Sequence, residues 1–468
     1  MADMPRFRFP ELILLLMVVA VAGGARAWYV MAATNNGSEP APFQVQGPGP
    51  QPDYEAGTRL RGQLNPSELD ALVDNIQKHK WFGSLAPLSD KEEKTAHVAP
   101  GYPWLVALVA RWMDNPDQIV RWGQCGLGAL TAACYFFFAR RAFRNNLVGF
   151  LAGLFCALYP FWIINAAELN DGVLVAFLLA FALTLGTRGS QVSAPFTSLV
   201  FGLALAALSM VRAALLPFAA VAVLWFLLRS RHLQKGWFSA LLAFLGFANG
   251  LAPWAVRNFQ EFQAPVPVTD SAFWHLWMGN NPQATGGILD ERTARQALPA
   301  KRLQALLEEK NQATRYTMLG RDVVEEITSD PSSTVARRLW SGLYFVFGEA
   351  WFKEKNLVLV STPQSRQDLP AWFSNTVPGI LEGSLLAVLL LGFLGWRWTY
   401  GWRKQSRLAT LAILWIPLPY LLSHAEALSG PRLPLDGILL CYAAFVIACL
   451  VPGFGSSLAK GPGKVEST

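Results

Sequence analysis

Long runs of apolar residues alternate with short polar segments along most of the chain. Ten of these runs approach the roughly 20 residues that a helix needs to cross a bilayer. The pattern predicts membrane-spanning helices over 11–33, 117–139, 147–164, 172–187, 195–211, 214–228, 237–254, 378–396, 408–423 and 434–452. We therefore predict an all-α polytopic membrane protein with about ten transmembrane helices.

Two long stretches interrupt this pattern, and both fall on one side of the membrane if all ten spans form. The first opens with a Pro/Gly-rich sequence and continues with a helical pattern whose apolar residues between 69 and 76 share a face. The second holds a strand-like piece at 264–277, a Gly/Asn turn and charged helical runs. The predicted order is a first span in 1–33, a large extracytoplasmic loop in 34–116, spans two to seven in 117–254, a second large loop in 255–377, spans eight to ten in 378–452 and a tail in 453–468.

Lys and Arg cluster on one side of the predicted spans. Arg6 and Arg8 precede the first span, and Lys460 and Lys464 follow the last. Cytoplasmic loops carry an excess of positive residues. The distribution therefore predicts that both termini are cytoplasmic and that the two large loops face outward.

Composition agrees with a membrane protein. Of 468 residues, 53% are hydrophobic and 15% charged, against about 25% charged in soluble chains. This excludes a soluble multidomain enzyme and a disordered chain. The net charge is +7, but the basic residues flank apolar runs, so the expected partner is the lipid bilayer and not nucleic acid.

Several motifs lie where the spans meet the two loops. In chain order they are HVAPGYPWLVAL at 97–108, LYPFWIINAAELNDGVLVAFLLA at 158–180, LSMVRAALLP at 208–217, PWAVRN at 253–258, PVPVTDSAFWHLWMGNNPQATGG at 265–287, SDPSSTVARRLW at 329–340 and SGPRLPLDGILL at 429–440. The series resembles the integral-membrane glycosyltransferases of the C superfamily (GT-C). The nearest resemblance is to the family-39-like group of protein O-mannosyltransferases, aminoarabinose transferases and their bacterial relatives.

The resemblance implies transfer of a sugar from a polyprenyl-phosphate donor to an extracytoplasmic lipid, glycan or protein, with inversion. It also implies the plasma membrane of a bacterium. Inversion needs a carboxylate that takes the acceptor's proton. The departing lipid phosphate needs cations that hold its developing charge. A divalent cation, Mg²⁺ or Mn²⁺, could bridge acids and phosphate, although the sequence does not require one and no residue is assigned as a metal ligand.

The resemblance places the catalytic base early in the first loop. Asp53 fits the order of the family's Asp, although its spacing to Pro-Gly-Tyr-Pro is long. Alignment on the helical pattern instead puts Asn65 at that position, with Glu68 and Asp70 close by. Asp53, Glu68 and Asp70 are therefore all candidates. The alternative is that they are solvated acids or acids favoured at a helix start.

Asp171 matches a second acidic position of the family, which would orient the acceptor or an ion. The sequence Asn-Asp-Gly equally fits the start of a helix, where acids act as caps.

Four basic residues are candidates for binding the donor phosphate, since a guanidinium grips phosphate through paired hydrogen bonds. They are His97, Arg212, Arg257 and Arg432. The alternatives are an ordinary loop histidine and arginines that reach toward lipid headgroups.

Asn280 and Asn281 are candidates for binding the sugar or acceptor. The alternative is that they build the turn, because Asn and Gly tolerate the left-handed backbone region.

Two other classes of function stay open. A lipid or glycan transporter predicts broken or polar helices at mid-membrane, for which Gly246, Asn249 and Gly250 are a hint. Close helix packing through small residues explains the same pattern. The second class is a non-catalytic relative that binds polyprenyl lipid, because Asn65 stands where the family carries Asp.

Overall fold

The computed structural model of the protein describes residues 9–34, 66–79, 81–189, 194–230, 236–287, 289–348, 371–399, 403–425 and 430–452. The helices in this part of the chain are α1 (Phe9–Thr34), α2 (Pro66–Asp74), α3 (Gly101–Trp112), α4 (Pro116–Phe143), α5 (Asn146–Leu158), α6 (Pro160–Asn165), α7 (Gly172–Gly189), α8 (Pro195–Val211), α9 (Leu216–Ser230), α10 (Gly236–Phe262), α11 (Ala272–Asn280), α12 (Glu291–Gln296), α13 (Ala300–Glu308), α14 (Gln312–Ser329), α15 (Pro331–Phe347), α16 (Ala371–Trp398), α17 (Arg403–Trp415), α18 (Leu418–Leu422) and α19 (Leu433–Leu450). Strands β1 (Gly83–Leu85) and β2 (Glu92–Lys94) form one antiparallel hairpin.

The all-α polytopic membrane fold is confirmed. A helix or a pair of helices lies at each of the ten predicted spans, and the third and ninth are each divided in two. Among the described residues, four helical stretches could cross a membrane by length and composition, namely Phe9–Ala32, Ala213–Ser230, Gly236–Phe262 and Leu433–Leu450. The number of spans and the division into loops stay predictions.

Helix α19 lies inside the bundle, packed against α5, α7 and α16. Nearly all of its residues are buried. A helix that is apolar on every side can only be stable where every side is covered by protein or lipid. The uniform hydrophobicity of Leu433–Leu450 therefore explains its central place.

Helices α8 and α10 pack closely through small residues. A Cβ at Gly202 would lie 2.0 Å from the Ala243 carbonyl oxygen, and one at Gly246 would lie 2.4 Å from that of Leu199. Glycine at these positions lets the two backbones approach. The Gly246 pattern is therefore explained by helix packing.

Arg26 supports the break between α5 and α6 from within the first span. It is 1% exposed and donates to the carbonyls of Cys156 and Ala157 at 3.1 and 3.0 Å. These carbonyls belong to the last turn of α5, which has no helical donors because Pro160 follows. The sequence pattern did not reveal this role.

The prediction of a strand-like piece at 264–277 is wrong. Its second half forms α11, and its first half is an irregular connection. The carbonyls of Val266 and Val268 in that connection accept hydrogen bonds from side chains of α10, so no partner strand satisfies them. Alternating apolar residues in a short segment do not distinguish a strand from a connection held in this way.

The two large loops meet in one layer above the helix bundle. We call this layer, formed by residues 66–79, 81–96, 263–287 and 289–347, the loop layer. The Arg315 guanidinium lies 2.7 Å from a Glu93 carboxylate oxygen, and Gln312 Oε1 accepts a 2.8 Å hydrogen bond from the Ala96 amide. Lys94 pairs with Glu261 at 2.8 Å. These contacts fix residues far apart in sequence on one face, which we call the loop face.

Candidate active site

The Pro-Trp-x-x-Arg-Asn motif lies near the end of α10 and holds the connection to α11. Trp254 Nε1 donates to the Val268 carbonyl at 2.8 Å. Asn258 Nδ2 donates to the Val266 carbonyl at 3.0 Å and to that of Val268 at 3.2 Å. Residues four apart share a helix face. This spacing lets the two side chains fix one segment together.

Arg257, from the same motif, binds the first loop. Its guanidinium donates to the carbonyls of Thr95 at 2.9 Å and Phe82 at 3.1 Å, and it lies over the Trp254 ring, 4.8 Å from its centroid. These contacts tie α10 to the first loop and make Arg257 a positioning residue. Its binding of the donor phosphate stays a prediction.

Three histidines from distant parts of the chain lie in a row beside Tyr316. The Tyr316 hydroxyl is 2.9 Å from His97 Nδ1. The rings of His97 and His275 are stacked with centroids 6.1 Å apart, and His275 Nδ1 lies 3.3 Å from His424 Nε2. We call these four residues the histidine cluster. It joins the first loop, the second loop and the segment after α18.

Burial shifts the pKa values of His97, His275 and Tyr316 in this cluster. It lowers the pKa of His97 to about 4. Burial also lowers the pKa of His275 well below its ordinary value, and the nearby His424 and His97 lower it further. Burial also raises the pKa of Tyr316, so its hydroxyl keeps its proton and can donate to His97. Because His97 is then neutral at pH 7, it could meet a donor phosphate only as a hydrogen-bond donor.

Asp270 lies in the connection that the α10 motif fixes. Its amide donates to the Ala96 carbonyl at 3.1 Å, next to His97 in the chain. Within the described part of the chain, neither oxygen of its carboxylate has a hydrogen-bond partner, and both are shielded from solvent. A buried polar group left without a partner is rare and calls for an explanation.

The pKa of Asp270 is raised to about 7, chiefly by burial. The backbone amide of Asp270 itself opposes this rise in pKa, as do Arg315 and Arg257 more weakly, while the negative charge of Glu93 adds to it. Asp270 is not among the residues predicted from the sequence, because an Asp just before a helix is usually a cap. Here Ser271 is the N-cap residue of α11, and no side chain caps the helix.

Asp171 has the opposite surroundings. It lies just before α7, and Arg212 lies just after α8. Arg212 Nε and Nη2 donate to the two Asp171 oxygens at 2.9 and 2.8 Å. The two side chains are 4% and 3% exposed. The family resemblance implied that Asp171 orients the acceptor or an ion and that Arg212 binds the donor phosphate. The structure joins the two residues in one buried ion pair.

A small cleft lies over this ion pair. It separates the start of α3 from the turn before α7, and Tyr102, Pro103, Asn170 and Asp171 line it together with neighbouring residues. Ala99, in the segment that also contacts Asp270, lines the cleft as well. The segment 96–103 therefore connects the surroundings of both acids.

The turn that carries Asp171 is held from α4. Arg121 Nε donates to the Ala167 carbonyl at 2.9 Å, and Gln124 Nε2 donates to the Glu168 carbonyl at 2.8 Å. Tyr102 donates to Gln124 Oε1 at 3.1 Å. These bonds fix the position of Asp171 relative to α3.

Arg432 is buried at the start of α19. It is 2% exposed, so it does not extend toward lipid headgroups. Its Nη1 lies 3.0 Å from Asp436 Oδ1, and the other Asp436 oxygen accepts a 2.7 Å hydrogen bond from Tyr159. Its guanidinium N–H groups make no hydrogen bond of good geometry to any described residue. Its binding of phosphate stays a prediction.

Asn280 and Asn281 are buried and bonded within the fold. Asn280 Nδ2 donates to the Leu276 carbonyl, and its Oδ1 accepts from Arg338. Asn281 Nδ2 donates to the Trp277 carbonyl. The structure thus gives both a role in building the turn, and their binding of sugar stays a prediction.

The predicted first-loop bases are placed only in part. Asp53 lies outside the described residues. Glu68 is half-buried in the first turn of α2, and Asp70 is exposed. Leu69 and Leu72 form the buried face of this helix, as its apolar spacing predicts. The catalytic role of Glu68 and Asp70 stays a prediction.

Residues 97–255 match the family model of dolichyl-phosphate-mannose-protein mannosyltransferases. The predicted resemblance is confirmed. The matched stretch begins at His97 and includes Asp171 and Arg212. No curated protein matches the chain at a significant level.

Three solved structures are similar to this chain. An Archaeoglobus fulgidus oligosaccharyltransferase tethered to an acceptor peptide is 10% identical, with a TM-score of 0.48 over 95% of this chain and 50% of that one. Its apo form is 13% identical, with a TM-score of 0.49 over 99% and 53%. ArnT from Cupriavidus metallidurans, bound to undecaprenyl phosphate, is 13% identical, with a TM-score of 0.34 over 92% and 77%. The chain spans about half the length of the oligosaccharyltransferase.

Proposed function

We propose that the protein transfers a sugar from a polyprenyl-phosphate donor to an acceptor at its loop face, with inversion. The observation that carries this proposal is the family match over 97–255, which includes His97, Asp171 and Arg212. These residues lie where the helix bundle meets the loop layer. Apolar helices would accommodate the lipid tail there, and charged groups would meet the sugar phosphate.

The reaction needs one base and several cations. The acceptor oxygen forms a bond to the anomeric carbon, while the bond from that carbon to the phosphate oxygen breaks and its electrons leave with the lipid phosphate. A carboxylate takes the acceptor's proton. The sequence candidates for this base are Asp53, Glu68 and Asp70.

Arg432 supports the proposal as a cation for the phosphate. Its Nη1 pairs with Asp436 at 3.0 Å, but none of its N–H groups makes a hydrogen bond of good geometry to a described residue, so a phosphate could still accept from them. Arg212 is less available, because Asp171 already occupies two of its donors.

A divalent cation is a further part of the proposal. Among the described residues, no group of three or more His, Cys, Asp or Glu side chains has the arrangement of a metal site. Any cation would therefore be held by fewer protein ligands together with the donor phosphate. The bacterial plasma membrane, with cytoplasmic termini and an outward loop face, is the expected location.

The test is release of polyprenyl phosphate by the purified protein. It would be given a panel of polyprenyl-phosphate sugars with cell-envelope extract as acceptor, with and without added Mg²⁺ or Mn²⁺. We expect release with at least one donor, and loss of release in Arg432→Gln. Movement of the labelled lipid across vesicles without any release would instead identify a transporter. Binding of polyprenyl phosphate without either activity would identify a non-catalytic relative.

A further inference from the structure

We propose that Asp270 is the proton acceptor of the transfer reaction. This inference rests on the proposed function and deepens it, because it gives the base a position in the second loop. The first observation is the pair of carboxylate oxygens that are buried without hydrogen-bond partners among the described residues. A base must have a free lone pair to take a proton. Neither Asp270 oxygen is engaged by a described residue, whereas each Asp171 oxygen already accepts a hydrogen bond from the Arg212 cation, which makes it a weaker base.

The second observation is the way Asp270 is held. Trp254 and Asn258 fix the two valines at 266 and 268, just before it. The Asp270 amide is bonded to Ala96, whose own amide is bonded to Gln312. Three elements thus determine the position of this carboxylate. Such preorganisation is required of a group that must meet a reacting atom.

The third observation is its relation to the rest of the site. Asp270 contacts the chain at Ala96, and Ala99 lines the cleft over the Asp171–Arg212 pair. Three residues of extended chain cover at most about 11 Å. The proposal requires the acceptor hydroxyl to reach Asp270 from the side of this cleft, where Asp171 would meet its other groups.

The charged groups around Asp270 also suit a residue that takes a proton from the acceptor. A base works best when its pKa lies near the working pH, and burial places that of Asp270 at about 7. The titratable and charged groups that surround it on the neighbouring elements are Glu93 on β2, His97 before α3, Arg257 on α10, and Arg315 and Tyr316 on α14. The arginines keep the ionised form accessible, and Glu93 and burial keep it basic.

The experiment compares release of polyprenyl phosphate by wild type, Asp270→Asn, Asp270→Glu and Asp114→Asn. Asp114 is an exposed acid between α3 and α4, so its variant is a matched control for the change of Asp to Asn. We expect Asp270→Asn to lose at least about 100-fold in kcat, as expected for loss of a general base. Asp270→Glu should keep part of the activity, and Asp114→Asn should keep all of it.

Binding of polyprenyl phosphate by Asp270→Asn, measured in parallel, verifies that the variant is folded. Asp270→Asn that releases lipid phosphate at the wild-type rate would overturn the proposal and leave the transferase intact. The same holds if Glu68→Gln or Asp53→Asn abolishes release while Asp270→Asn does not. Wild type that releases nothing from any donor would overturn the proposed function and this inference with it.

Discussion

Asp171 and Asp270 are two acids near one face of the protein whose carboxylates are shielded from solvent. Their hydrogen-bond partners differ, and these partners determine what each carboxylate can do. Both oxygens of Asp171 accept hydrogen bonds from Arg212. Neither oxygen of Asp270 has a partner in the described part of the chain. The first carboxylate is neutralised by its ion pair, whereas the second is held in place by its backbone alone.

The difference shows that the type of residue and its position at a membrane boundary do not define a role. A carboxylate in a bidentate pair with arginine is stabilised as an anion and has few lone pairs left. A carboxylate that is buried without partners is a stronger base. The family resemblance directs attention to Asp171, while the hydrogen bonds direct it to Asp270.

The largest effect is expected from removal of one partner of the ion pair. Arg212→Gln leaves Asp171 as a buried charge without its cation, which costs about 3–5 kcal/mol in the free energy of unfolding. Thermal unfolding in detergent measures this loss. The double variant Asp171→Asn with Arg212→Gln should recover much of it. A double variant no more stable than Arg212→Gln would show that the pair does not determine the stability of this region.

Asp270→Asn should have the opposite sign and depend on pH. Because the folded pKa of Asp270, about 7, is above its unfolded value, wild type loses stability as pH rises from about 4 to about 7. Above pH 7 the ionised carboxylate costs up to about 4 kcal/mol, since three pKa units correspond to that energy. The variant should therefore be more stable than wild type at about pH 8 and similar to it near pH 4. A difference independent of pH would contradict the assigned burial.

Asn258→Ala tests whether the α10 motif positions Asp270 and not Asp171. The carbonyl of Val266 loses its side-chain donor, and that of Val268 keeps only Trp254. A lost hydrogen bond that leaves a buried group unsatisfied costs about 1–3 kcal/mol. Hydrogen exchange should become faster in residues 263–271 and stay unchanged in α7. Equal acceleration in both regions would show that the motif has no local role.

Tyr316→Phe should have the smallest effect. It removes the hydrogen bond to His97 Nδ1, which is worth about 0.5–1.5 kcal/mol. The imidazole resonances of His97 should change in NMR spectra, whereas the stability of the Asp171–Arg212 region should not. Unchanged His97 resonances would mean that the two side chains do not interact in solution.

The sequence predicts the membrane helices well, because a bilayer-length apolar run such as Leu433–Leu450 has few other stable structures. The motifs also lie close to one another in the fold, since Trp254, Asn258, His97 and Asp171 all lie near the loop face. Their roles depend on contacts that spacing does not encode. Asp171 and Arg212 are 41 residues apart, and only the packing of α7 on α8 brings them together.

Asp270 was not predictable for a similar reason. In sequence it is one polar residue in Thr-Asp-Ser before a helix, which is the usual context of a cap. Its lack of partners follows from two features of the structure, the segment that α10 holds and the Ala96 carbonyl that takes its amide. A buried, unpartnered group is defined by what surrounds it, and this appears only when the loops are packed.

The pH dependence of the reaction tests the assignment of Asp270 most directly. Release of polyprenyl phosphate by wild type would be measured from about pH 5 to about pH 9 with donor in excess. A base with a pKa of about 7 predicts that kcat rises roughly tenfold for each pH unit below that value and levels off above it. A rate that is flat across this range, in protein that remains folded throughout, would contradict the assignment of Asp270 as the proton acceptor.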